Sequence, residues 1–347
     1  KGPDMTRKRI NLALQGGGAH GAFTWGALDR ILEDDRIEIA AISGTSAGAL
    51  NGAALKSGMV TGGAEGARAA LDALWHEVAG LQGIEAESWM APLGVRSVSQ
   101  AMEMNPFYLM GEAISHGLSP YAIGPFYTNP LTSIVAAFNY DKVCADDGPA
   151  FFVNATRVRN GKLRVFRADE VNADVIMASA CLPTLFQAVE LFDSQTGRTE
   201  AFWDGGYTGN PALFPFFERD LPPDIVVINI NPLEREDVPY TPQQIQNRIN
   251  EISFNSSLLR EMRAIALVQR LLDDGTIPEE RMARVHMHMI ADDDLMNDLS
   301  VATKTVPNGY VLGKLKQAGR AAADTFLSQH FDDLNQRSSI DMRAMYS

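Results

Sequence analysis

The chain has 347 residues, 46% of them hydrophobic, and carries 30 Lys and Arg against 43 Asp and Glu, a formal net charge of −13. That balance excludes a nucleic-acid binder, which needs a basic face for the phosphates, and a strong general attraction to anionic lipid. Cys144 and Cys181 are the two cysteines; they cannot build a disulfide framework, so a reducing compartment is expected.

No run of about 18 apolar residues is present, so no transmembrane helix is expected. Lys1–Met5 has no apolar signal region and reads as an appended remnant ahead of a native start at Met5. The expected location is therefore cytoplasmic, with export by a route lacking a cleavable signal left open.

In chain order, Arg9–Gln15 reads as a first strand ending in Gly16-Gly17-Gly18, and residues 21–34 as a helix with Phe23, Trp25, Ala27, Leu28, Ile31 and Leu32 at helical spacing. Residues 37–42 form an apolar second strand. It runs into Ser43-Gly44-Thr45-Ser46-Ala47-Gly48, and a small-residue helix follows over 47–55. A further Ala-rich helix is expected over 64–78. This alternation of strand and helix predicts an α/β/α three-layer sandwich around a mostly parallel sheet.

Residues 81–150 break the rhythm with mixed Gly, Pro and aromatics. They read as an irregular insertion with short helices such as 131–138, its aromatics lining a pocket or packing the insertion down. Ala150–Val158 and Leu163–Arg167 then read as a hairpin through Asn160-Gly161. A helix over 173–180, a strand pair flanking 193–197, a core strand over 225–230, a helix over 241–273 with a polar front half, a strand over 285–290 and a helix over 310–331 complete the chain. With no repeat or linker, residues 9–347 are expected to form one domain: a motif-bearing core over 9–215, then C-terminal strands and helices over 216–347.

Strand, Gly44-x-Ser46-x-Gly48, helix is the layout of a nucleophile elbow, in which a serine sits on a strained bend above the sheet edge. Gly16-Gly17-Gly18-Ala19-His20-Gly21 fits a dinucleotide fingerprint, but that reading also requires an acid at the end of the second strand. That strand ends in Ser43-Gly44-Thr45-Ser46, so the nucleotide-binding alternative fails this requirement. The turn reads instead as an oxyanion hole, its unpaired amides facing charge that develops on an attacked carbonyl.

The serine needs a base. None of His20, His76, His116, His286, His288 and His330 has a catalytic context: His286 and His288 fall in a strand, and His330 in a terminal helix. Asp204-Gly205-Gly206 does have one, at a strand end before Asn210-Pro211. An aspartate that merely caps the Gly-Gly bend fits the same pattern.

Gly16–Gly21, Gly44–Gly48 and Asp204-Gly205-Gly206 in this order, with Ala178–Pro183 between them, resemble the patatin-like phospholipase family over roughly residues 9–215. The resemblance implies a Ser–Asp dyad with no histidine. Ser46 would be the nucleophile, Asp204 the proton acceptor, and the amides of Gly16, Gly17 and Gly18 the oxyanion hole. Many members carry a basic residue where His20 stands, which leaves open whether His20 meets a lipid phosphate or only packs.

The implied activity is lipid acyl-ester hydrolysis of the phospholipase A type through an acyl-serine. No cofactor and no metal are expected, and no calcium-loop pattern is present, Asp292-Asp293-Asp294 reading as a solvated turn. The partner is a lipid or other acyl ester, with at most peripheral membrane contact. A short-chain carboxylester, a thioester or a hydroxyalkanoate polyester is the alternative substrate on the same dyad. A carboxylate base must be buried to be basic enough, so Asp204 is expected to be at least partly buried.

Overall fold

The computed structural model describes residues 7–80, 92, 94–106, 108–111, 119–236 and 238–346. Strand β1 (Lys8–Leu14) leads through a 3₁₀ turn at Gly18–His20 into helix α1 (Gly21–Ile31). Strand β2 (Ile37–Gly44) leads into α2 (Ala47–Ala79). Within the insertion lie α3 (Gly94–Glu103) and α4 (Leu131–Ala136). Strands β3 (Ala150–Arg157) and β4 (Leu163–Arg167), helix α5 (Ala173–Ser179), and strands β5 (Val189–Asp193) and β6 (Arg198–Asp204) follow. Then come β7 (Asp224–Ile228), α6 (Pro242–Asp273), β8 (His286–Ile290), α7 (Val301–Thr305) and α8 (Gly309–His330).

One sheet runs β5-β6-β3-β2-β1-β7-β8, with β4 paired to β3. Strands β3, β2, β1, β7 and β8 are parallel, while β4, β5 and β6 make the antiparallel margin. The central strands are apolar on both faces, as strands covered on both sides must be. Leu12, Leu14, Ile42, Val226 and Ile228 point into a core shared with Phe23, Trp25, Leu55 and Leu315 of α1, α2 and α8. Their neighbours Ala13, Ala41, Ile225 and Val227 point to the other side, onto Leu258, Met262 and Ile265 of α6. The period of two divides the helices into two layers around the sheet.

Several boundaries differ from the sequence reading. Strand β2 runs two residues past Ile42, because Ser43 and Gly44 still pair with Ala13 and Leu14 on one side and with Phe152 and Val153 on the other. The two helices expected over 47–55 and 64–78 are both present within the span Ala47–Ala79, the first running on to a kink at Gly62 and Gly63, where the backbone leaves helical geometry and Gly63 has φ +62°. Asp292 is not simply a solvated turn: its carboxylate accepts from Leu295 N at 3.0 Å and caps the short helix Asp293–Asp298. In the insertion, Tyr127 and Tyr121 take the packing role, their hydroxyls accepting from Gln187 N and Ala188 N. Trp89 lies outside the described residues.

The arrangement around β3 positions everything that follows. β4 occupies one edge of β3 along Phe152–Thr156. β2 pairs with Ala150–Val153 and β6 with Ala155–Arg157, so both take the opposite edge. They run toward each other along it and stop end to end. The last residue of β2, Gly44, faces Val153, and the last residue of β6, Asp204, faces Ala155.

Candidate active site

Ser46 lies two residues past the end of β2 and one before α2. It is one of three non-glycine residues with positive φ among the described residues (φ 54°, ψ −121°). That conformation is costly for an L residue and persists only where the surroundings over-determine it. They do so here. Ser46 N–H donates to Ser179 Oγ at 2.9 Å, and Ser179 Oγ donates to Asn154 O at 2.7 Å. Asn154 Nδ2 reaches Ser43 Oγ, Gly44 O and Thr45 Oγ1, each at 3.1 Å. Thr45 Oγ1 in turn donates to Gly209 O at 2.7 Å. At Gly48 the first turn of α2 crosses the Leu14 carbonyl so closely that a Cβ has no room.

Asp204 closes β6 directly opposite. It is fully buried. Oδ1 accepts from Gly206 N at 2.8 Å, while Oδ2 has no hydrogen-bond partner. Burial pushes its carboxyl up to about 7, against the lowering effects of the Gly206 N–H and of the neighbouring Ser46 hydroxyl. No cation contributes to its titration.

The glycine turn meets the elbow at Gly16, where a Cβ would come within 2.7 Å of Ser46 Cβ. Gly17 abuts the Ile230 side chain, Gly18 the Lys304 carbonyl and Gly21 the Ala47 methyl. The run of glycines is thus required by the chain's own packing. Gly205 and Gly206 are buried beside Asp204 against Asn154 O and the Phe254 ring.

One expectation needs correction. Gly16 N–H is already donated to Asn210 Oδ1 at 2.7 Å, and Gly16 O accepts from Asn231 Nδ2 at 2.7 Å. Gly16 is a clamped residue with no amide to spare for an oxyanion. Among the described residues, the amides of Gly17 and Gly18 meet no acceptor.

A family model for patatin-like phospholipases matches residues 12–217, a span holding the glycine turn, the elbow and Asp204. The chain belongs to the patatin-like phospholipase family. Among solved structures it is similar to VipD from Legionella pneumophila, with 14% identity and a TM-score of 0.44, over 94% of this chain and 67% of that one. It is also similar to ExoU in the heterodimeric ExoU–SpcU complex of the Pseudomonas aeruginosa type III secretion system, with 17% identity and a TM-score of 0.31, over 98% of this chain and 65% of that one. A further structure of the type III effector ExoU is matched over 54% of its length. The chain thus spans between about half and two thirds of these proteins. No curated protein sequence matches it.

In this patatin-like frame His20 and His288 meet partners other than Ser46, while His116 lies outside the described residues. His20 is buried, its Nε2 2.8 Å from Thr303 Oγ1. That hydroxyl spends its own proton on Ser300 O, so Nε2 is the donor and Nδ1 is left unpartnered. Burial and then Lys304 hold the His20 pKa well below the ordinary value, so the ring is neutral. His20 packs and does not face solvent. His288 bridges Asp224 and Ser339 at the other end of the sheet.

Sequence reasoning missed Asn154, Ser179, Asn210 and Asn231, which shape the patatin-like turns from a distance. Ser179 and Asn210 lie within the Ala178–Pro183 block and the Asn210-Pro211 turn, but nothing local discloses what they hold.

Proposed function

We propose that this chain hydrolyses acyl esters of lipids, with Ser46 as nucleophile and Asp204 as its base. The observation that carries the reading is a serine on a strained elbow facing a buried carboxylate that no cation neutralises. A carboxyl pushed up to about 7 is matched to proton transfer near neutral pH. Its unpartnered Oδ2 is free to accept the proton.

In the first step Asp204 takes the Ser46 Oγ proton while Oγ bonds to the ester carbonyl carbon. The negative charge moves to the carbonyl oxygen, where the Gly17 and Gly18 amides can receive it. The carbon–oxygen bond to the alcohol breaks, and Asp204 returns the proton to that alcohol, leaving acyl-Ser46. Asp204 then takes a proton from a water whose oxygen bonds to the acyl carbon; the carbon–Oγ bond breaks, and Asp204 returns the proton to Ser46 Oγ as the acid leaves. Asn210 and Asn231, holding both ends of the Gly16 peptide, keep the donor turn against the serine.

The experiment is labelling with an alkyl fluorophosphonate and mapping of the adduct, alongside Ser46→Ala and Asp204→Asn. The adduct is expected on Ser46. Asp204→Asn should lower turnover of a p-nitrophenyl ester by about 10²–10⁴-fold, the range for loss of a general base. Full activity in a folded Asp204→Asn chain, or an adduct elsewhere, sinks the reading. Chain-length series of p-nitrophenyl esters set against phospholipid vesicles then separate lipid from short-chain, thioester and polyester substrates.

A further inference from the structure

The front half of α6 presents two different faces. Its inner face supports the site: the Phe254 ring lies on Gly206, Ser257 Oγ accepts from Asn210 N at 3.1 Å, and Asn255 reaches Gln15 and Asn231 beneath the glycine turn. Its outer face carries Ile245, Ile249 and Ile252, exposed by 43%, 53% and 55%. Spacings of four and three residues place them on one stripe. The segment leading into the helix adds Val238 at 66% and Tyr240 at 86% exposure. Single exposed apolar side chains are ordinary, but five between Val238 and Ile252 are not.

The charge pattern of this face is as telling as its apolarity. Between Tyr240 and Leu259 the only charged residues are Arg248 and Glu251. Both are turned inward: Glu251 is buried and ion-paired with Arg235, Arg248 and Lys304, and Arg248 also donates to Leu233 O. The remaining residues are Ile, Gln, Asn, Ser, Thr, Pro, Phe, Leu and Tyr. In a chain of net charge −13, this is an electrically neutral apolar stripe with a tyrosine at its end, the composition of a helix that lies in a lipid–water interface. The isoleucine stripe carries no cation of its own, Arg96, Arg235 and Arg248 lining the cavity beside Val238, so it gains little from anionic headgroups, and the acidic remainder is repelled by them. Neutral headgroups are left as the fitting layer.

We infer that the Ile245–Ile249–Ile252 face of α6, with Val238 and Tyr240, is the surface on which this chain rests on an uncharged lipid layer, the same helix backing the turns around Asp204 and Gly16. This rests on the reading of the site as a lipid acyl hydrolase. The same helix that holds Gly206 and Asn210 on one side then touches the substrate phase on the other.

The test is sedimentation with vesicles of pure phosphatidylcholine, using the Ser46→Ala chain so that hydrolysis does not alter the vesicles. The expected result is partition onto the vesicles that falls at least tenfold when Ile245→Glu, Ile249→Glu and Ile252→Glu are added. Leu267→Glu, on the exposed rear of the same helix, should leave partition unchanged. A melting curve shows that each variant is folded. The inference is overturned if the triple variant partitions like its parent, if the parent binds only when anionic phosphatidylglycerol is added, or if the parent is a dimer in size exclusion that the triple variant splits. Hydrolysis of a monodisperse p-nitrophenyl ester by the unmutated chain separates the two levels. Ester hydrolysis without vesicle binding removes the surface and keeps the enzyme reading; vesicle binding without hydrolysis of any ester does the reverse.

Discussion

Two buried carboxylates contacted by α6 or the turns it supports, Asp204 and Glu251, have opposite fates. Asp204 meets one N–H and one hydroxyl, and burial pushes it up to about 7. Glu251 meets Arg235, Arg248 and Lys304 at 2.8, 3.4 and 2.7 Å, and Lys304 and Arg235 hold it far below the usual carboxylate range despite similar burial. Desolvation is the largest influence on both, so burial alone does not decide what a carboxylate does. The cations decide. With them the group is a fixed charge that ties α7 and the β7–α6 connection to α6; without them its proton affinity rises toward neutral pH, which is what the proposed role of Asp204 as base requires.

The sharpest way to break this comparison is to neutralise each carboxylate. Glu251→Gln leaves three cations around a neutral amide in a buried place, and the loss of stability is expected to be about 3–5 kcal/mol, as when one partner of a buried ion pair is removed. Asp204→Asn should act in the opposite direction. An unpaired carboxylate costs the fold its ionisation, each tenfold change in proton affinity being about 1.4 kcal/mol. With the group pushed up to about 7, Asp204→Asn should gain up to roughly 4 kcal/mol at pH 8. Chemical denaturation at that pH reads both. Equal signs in the two variants would show that the missing cations are not what distinguishes the sites.

The pH dependence separates them further. The folded chain keeps the Asp204 proton up to about pH 7, whereas the unfolded chain releases it near 4. The folded state therefore binds more protons between these values, so this contribution to stability declines as pH rises through the window and is flat above it. Activity runs the other way, because the base must be ionised: kcat/KM should fall below pH 7 with unit slope. Glu251 stays ionised in the folded chain throughout this window. Its contribution to stability rises with pH only near the lower end, where the unfolded glutamate still holds a proton, opposite in sign to that of Asp204, and it adds nothing to the activity profile. A kcat/KM that stays level down to pH 5 would remove Asp204 as the titrating base.

The candidate residues themselves were legible because each sits in a short local pattern: a glycine turn, an elbow, an Asp-Gly-Gly bend. Their meeting was not, since it depends on β2 and β6 sharing one edge of β3, and no stretch of sequence states which edge the β4 hairpin leaves open. Gly16 was misassigned for a related reason. Its amide is taken by Asn210, 194 residues away. The front half of α6 reads as polar by count, since Gln, Asn and Ser outnumber the isoleucines, and only the helical register gathers Ile245, Ile249 and Ile252 on one exposed side. The two helical layers and most element positions followed from apolar periodicity, and the separate helices expected over 47–55 and 64–78 meet at the kink of Gly62 and Gly63.

A smaller effect is expected at Ser179, and it probes the elbow without touching any charge. Its hydroxyl relays between Ser46 N–H and Asn154 O, joining the end of β2 to β3 through α5. Ser179→Ala removes the acceptor of a buried amide and the donor to a buried carbonyl, an expected loss of about 1–3 kcal/mol. The Ser46 backbone, held at φ 54°, would then relax toward an unstrained conformation and carry Oγ away from Asp204. Small displacements of a nucleophile are costly, so fluorophosphonate labelling should slow by up to about 10²-fold while the pH at half-maximal rate stays where Asp204 puts it. If that pH moves instead, Ser179 acts on the carboxylate and not on the elbow; if neither melting nor labelling changes, the strain at Ser46 is held by Asn154 and the packing of Gly48 alone.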